Sequence, residues 1–179
     1  MNLTDLRSAL GTIDEQLIAA LAARAAHPCN AGLYPPPQPV DSPKMLCASL
    51  ANQPDAQAKI RFIRGFYIST VLPLICAQGE DPNPRACLGL DGHCIDMLSK
   101  LLNFSNWIAR MKKRDGTVSK VPSESAVTNA KVEKAVLKHV QECAKENGLS
   151  DEVAVKLAGF YQDWIIPTSR LLQVDLLKN

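Results

Sequence analysis

Apolar residues recur along this chain at steps of three and four, the spacing of one face of an α-helix. Leu6, Leu10, Ile13, Leu17 and Leu21 make the first such stripe and predict a helix from about Thr4 to Ala26. At ~1.5 Å per residue it is a rod of roughly 34 Å. Asn2 and Thr4 are placed to cap its start, and Asp5 and Asp14 fall on its expected outer face. A second stripe, Ile60, Ile63, Tyr67, Val71 and Leu74, predicts a helix from about Asp55 to Gln78 that Pro73 bends rather than ends. A third helix is predicted from Ala86 or Leu90 to Lys113, and a fourth from Ser125 to Glu146, stopped by Asn147-Gly148. Ser150 caps a fifth, which runs through Val153, Leu157 and Tyr161 to about Leu177 and is bent by Pro167.

The breaks complete the outline. His27 to Pro54 contains Pro28, the Pro35-Pro36-Pro37 run, Pro39, Pro43 and Pro54, so residues 28–54 are expected to be irregular. Gly79 to Pro84 reads as a turn, and Gly116 to Pro122 as a second break. Neither a strand alternation nor an internal repeat competes. The prediction is an all-α, elongated bundle of about five long helices, one domain over residues 1–179.

Composition narrows the function classes. Hydrophobic residues make up 46% and charged residues 21%, ordinary for a packed globular domain, while 5% aromatics argue against a β-sandwich. A net charge of +2 gives no footprint for nucleic acid or an anionic membrane surface. The basic run Arg110 to Arg114 has no interleaved aromatics and reads as a solvated helix end. Nothing approaches the ~18 apolar residues of a membrane span. The first residues carry neither the basic nor the apolar region of a signal peptide, so the protein is expected in the cytoplasm, or secreted with a leader already removed. Six cysteines without a C-x-x-C pair, and three histidines, argue against a zinc or redox site. No metal is therefore expected.

Three stretches, in order, resemble the chorismate mutase family in its eukaryotic (fungal and plant) branch. The first is Leu6-Arg7, Ile13 to Ile18 and Arg24. The second comprises Val71-Leu72-Pro73-Leu74-Ile75, Cys94-Ile95-Asp96-Met97-Leu98-Ser99 and Phe104 to Ala109. The third comprises Thr128-Asn129, Val132-Glu133, Asn147-Gly148-Leu149 and Ile165-Ile166-Pro167-Thr168-Ser169. The resemblance implies the rearrangement of chorismate to prephenate without a cofactor, a step of aromatic amino-acid biosynthesis in the shikimate pathway, and a homodimer.

That substrate, or a similar dianionic ring acid, calls for cations shaped to two carboxylates and a donor at an ether oxygen that gains negative charge. By resemblance, Arg7 grips a carboxylate, Lys112 reaches the ether oxygen and a carboxylate, and Gln173 donates to the ether oxygen. Asn129 and Glu133 bind the substrate hydroxyl, and Ser169 lies one turn before Gln173. The departure is Leu101, where the family places its central catalytic arginine. Lys100 lies ~100° around the helix and Arg110 roughly opposite, so neither substitutes directly. Arg24 aligns with a catalytic arginine of the bacterial branch and is the alternative source of the missing cation. Arg85-Ala86-Cys87-Leu88-Gly89 lacks the small polar residues that help bind amino-acid effectors in regulated relatives. Two outcomes follow: an unregulated, impaired mutase, or a non-catalytic relative, such as a secreted fungal effector, that binds a ligand or a protein partner.

Overall fold

The computed structural model describes residues 3–29, 40–80, 83–115 and 130–178, with the side chains at 3, 6, 105–109, 111–115 and 173–178 outside that description. Its helices are α1 (Leu3–Ala25), α2 (Pro43–Ala51), α3 (Ala56–Phe66), α4 (Leu72–Ile75), α5 (Pro84–Asp115), α6 (Ala130–Glu146), α7 (Asp151–Phe160) and α8 (Ile166–Lys178). Among the described residues no strand forms, apart from an isolated bridge between Cys29 and Gln78.

The longest rods, α1 and α5, lie along one another, and α5 also packs on α8. Ile13, Leu17, Ile18 and Leu21 of α1 share one core cluster with Cys94, Leu98, Leu101 and Leu102 of α5. Each fully buried branched side chain there contributes about 1.5–3 kcal/mol. Phe66, Phe160 and Trp164 close the far side, with the Phe66 and Trp164 ring centroids 5.1 Å apart. The predicted stop after α6 is a Schellman cap: Gly148 N–H donates to the Lys145 carbonyl and Leu149 N–H to the Ala144 carbonyl. Gly148 has φ +86°, which favours glycine. Ser150 Oγ accepts from Val153 N–H and starts α7 as predicted.

Three local expectations are corrected. Pro43 does not break the chain but opens α2, with Ser42 Oγ accepting from Met45 N–H. Proline suits the first helical position because no hydrogen bond is lost there. Ile60, predicted to face inward, is 51% exposed, and Phe66 takes the buried place instead. Asp14, predicted on the outer face of α1, is buried.

Pro73 and Pro167 do not kink simple helices. Each is preceded by a π-helical turn, Tyr67–Val71 and Tyr161–Ile165, that joins α3 to α4 and α7 to α8. In each, the next N–H reaches back five residues: Leu72 to the Tyr67 carbonyl, and Ile166 to the Tyr161 carbonyl. Widening the turn relieves the clash of a proline ring with the carbonyl four residues earlier. Both sites carry one pattern, Phe-Tyr, three variable residues, two aliphatics and Pro, at Phe66 to Pro73 and Phe160 to Pro167. This short internal repeat went unrecognised in the periodicity reading.

Candidate functional site

Each π-turn tyrosine anchors a buried aspartate of another helix. Tyr67 Oη donates to Asp91 Oδ1 at 2.6 Å, and Tyr161 Oη donates to Asp14 Oδ1 at 2.7 Å. The surroundings differ. Asp91 also receives Arg24 Nε at 2.8 Å, and Arg24 Nη1 donates to the His27 carbonyl at 2.9 Å. Among the described residues no arginine pairs with Asp14, and burial raises its carboxyl to about 6. The Tyr161 hydrogen bond and nearby His139 offset only part of that rise. In the same way burial pushes the Cys76 thiol up to about 12, against the pull of Arg24.

Arg24 is thus a buried residue committed to Asp91, its side chain 1% exposed. Asp91 lies ten residues before Leu101 on α5, about 15 Å along the helix axis. Arg24 is therefore not beside the position of the absent family arginine. Leu101 itself is 1% exposed and belongs to the hydrophobic cluster.

Glu133 sits in the first turn of α6 and is half-buried. Its carboxylate is gripped by both sides of the Arg170 guanidinium: Arg170 Nε donates to Oε1 at 2.7 Å, and Nη2 donates to Oε2. This bidentate pair ties α6 to α8 at the residue following Ser169. Ser169 is likewise half-buried. Gln173 lies one turn further along α8, and its side chain, like that of Lys112 on α5, is outside the described residues. Asn129 is also outside them. Arg7 is exposed near the start of α1, two turns before Asp14 and on the same helical face. The structure thus brings Glu133 to the Ser169 end of α8 and commits Arg24 to Asp91. Arg170 is the residue the sequence reading missed. The available signal was an arginine set beside the Ile165-to-Ser169 motif, one turn before Gln173 (100° and 60° around α8 from Ser169 and Gln173).

A cleft of about 460 Å³ opens elsewhere, between α2, α3, α5 and α8, with Lys59, Ile60, Asp96, Lys100, Asn103 and Leu172 in its walls. Most of its α5 residues lie on the far side of that helix from Leu101, so it is not the site of the assigned residues. Among the described residues, no three His, Cys, Asp or Glu side chains group to hold a metal ion, and no helix is long and apolar enough to cross a membrane.

The family model for chorismate mutase type II matches residues 88–174, from the first turns of α5 to α8. The chain is 27% identical to chorismate mutase 2 of Arabidopsis thaliana over 135 residues, covering 62% of this chain and 51% of that protein. It is 26% identical to the chorismate mutase of Emericella nidulans over 166 residues, covering 78% of this chain and 60% of that one. These matches support the chorismate mutase family, the one that the sequence resembles. The chain spans about half the length of the Arabidopsis relative that it matches. Its fold is that of the chloroplast chorismate mutase from Zea mays, with a TM-score of 0.74 at 19% identity, covering 99% of this chain and 94% of that one. The match to the chorismate mutase type II model runs from the helix that holds Leu101 and Lys112 to the one that holds Ser169, Arg170 and Gln173.

Proposed function

We propose that this chain rearranges chorismate to prephenate, without a cofactor, in a cationic pocket served by α1, α5, α6 and α8. Arg7 and Lys112 take the substrate carboxylates, and Lys112 and Gln173 donate to the ether oxygen as its charge grows. Asn129 and Glu133 hold the hydroxyl. Fixing the substrate in its compact reactive shape supplies a further share of the acceleration. An amide donates whatever the pH, so Gln173 imposes no acid requirement on turnover. The observation that carries this reading is the Glu133–Arg170 pair. It draws the helix bearing one assigned residue against the helix bearing two others, at Ser169.

Leu101 favours a second reading, in which the pocket binds a dianionic ring acid without converting it. Removing one preorganised donor from such a site costs ~10²–10³ in rate. The loss of chorismate absorbance with purified protein, followed beside calorimetric titration with a bicyclic dicarboxylate that mimics the transition state, separates the two. Turnover supports the mutase; binding alone selects the non-catalytic relative; neither overturns both. The same reading makes the protein a homodimer that does not respond to tryptophan or tyrosine. A melting temperature shifted by either amino acid contradicts that last point.

A further inference from the structure

We propose that Arg170 restores the positive charge that Leu101 takes away, and that it does so by neutralising and aligning Glu133 at the substrate site. The inference rests on the proposed function and deepens it. The assigned groups of known charge are Arg7, Lys112 and Glu133: two cations against one carboxylate. That leaves a single net positive charge to meet a ligand with two negative ones. A family arginine at position 101 brings the balance to two. Here position 101 is apolar and buried, and Arg170 brings the balance to two from a different helix.

The geometry fits this role. A bare carboxylate at position 133 repels a dianion across the pocket, and a half-buried one does so in a medium of reduced dielectric. Arg170 meets it with two parallel N–H···O bonds, the planar fork that fixes a carboxylate in orientation as well as in charge. Side-chain exposures of 27% and 20% leave the pair open enough to face a ligand and closed enough to escape full solvent screening. Arg170 is a positioning residue here: it acts through Glu133. The other strong arginine–carboxylate pair, Arg24 with Asp91, lies too deep and too far along α5 to share this task.

The test is a set of variants measured for kcat, KM and calorimetric Kd of the bicyclic dicarboxylate. Arg170→Ala is expected to weaken binding and raise KM by about 10–100-fold, the range of a charge-assisted hydrogen bond, with a smaller change in kcat. Arg170→Lys keeps the charge but not the fork and is expected to recover part of the loss. Arg170→Met together with Glu133→Gln removes both charges and keeps the balance of the remaining site at two, so it is expected to bind better than Arg170→Ala alone. This double variant also covers the case in which Arg170→Ala fails to fold. If the wild type is active or binds the probe, but Arg170→Ala and Arg170→Lys leave KM and Kd unchanged, this inference fails and the proposed function stands. If the wild type neither turns over chorismate nor binds the probe, both fall.

Discussion

Among the described residues, two arginine–carboxylate pairs tie helices together, and they sit in opposite settings. Arg24 and Asp91 have side chains 1% and 7% exposed, and Tyr67 and the His27 carbonyl take up further bonding capacity. Arg170 and Glu133 have side chains 27% and 20% exposed and meet through a fork. The chemistry is the same and the roles differ. A pair sealed in the core fastens α1 to α5, whereas the half-exposed pair ties α6 to α8 and, on the proposed function, keeps its field available to a ligand. Arg24, although it aligns with a catalytic position of the bacterial branch, is committed to Asp91 in the core.

The comparison is broken most sharply at its buried end. Arg24→Met removes the cation that pairs with Asp91 in the core, and is expected to cost about 3–5 kcal/mol in urea unfolding. A cost below about 1 kcal/mol contradicts the structural role assigned to Arg24.

Asp14 and Asp91 extend the contrast, since both accept from a π-turn tyrosine but, among the described residues, only Asp91 pairs with an arginine. The folded-state value of Asp14, about 6, lies above its ordinary 3.8. The folded protein therefore holds this proton more tightly than the unfolded chain. Its contribution is fully present below about pH 4 and is lost as pH rises through about 6. Asp14→Asn is expected to flatten that part of the stability–pH curve and to gain about 1–3 kcal/mol at pH 7. An unchanged slope between pH 4 and 7 shows that Asp14 is not the titrating group.

Thr168 offers a smaller test of what burial demands. It is wholly buried, and its hydroxyl has no hydrogen-bond partner among the described residues. Thr168→Val is expected to stabilise the fold by about 1 kcal/mol, read as a rise in Tm. A loss of similar size means that the hydroxyl is satisfied after all. At the open end of the comparison, Arg170→Ala is expected to change unfolding free energy by no more than about 1 kcal/mol, although its effect on ligand affinity is large. A cost like that of Arg24→Met places Arg170 with the structural pair.

Much of the fold is legible in the sequence because the relevant signals are local. The stripe from Leu10 to Leu21 needs only helical spacing to declare its buried face, and Gly148 and Ser150 mark a stop and a start by their own backbone chemistry. What was missed depends on distance along the chain. Asp14 looks like any polar position on a helix until Tyr161 meets it from 147 residues away. Glu133 finds Arg170 across 37 residues, a pairing that no local pattern announces. Pro43 was read as a breaker because only its cap, Ser42, turns a proline into a helix start. The repeated Phe-Tyr-to-Pro pattern was visible in the letters, but its meaning lies in the π-turns. The site roles are carried by resemblance alone, and Glu133 and Ser169 are the members that the described geometry brings to one place.

The proposed function has Glu133 and Arg170 at a site that binds and converts a doubly negative ring acid despite Leu101. Its most direct test is the rate of chorismate disappearance with purified wild-type protein beside Arg170→Ala at equal concentration and pH 7. The account predicts measurable wild-type turnover with a KM that rises about 10–100-fold in the variant. A wild-type rate equal to the uncatalysed one, with no calorimetric binding of the dicarboxylate, contradicts it.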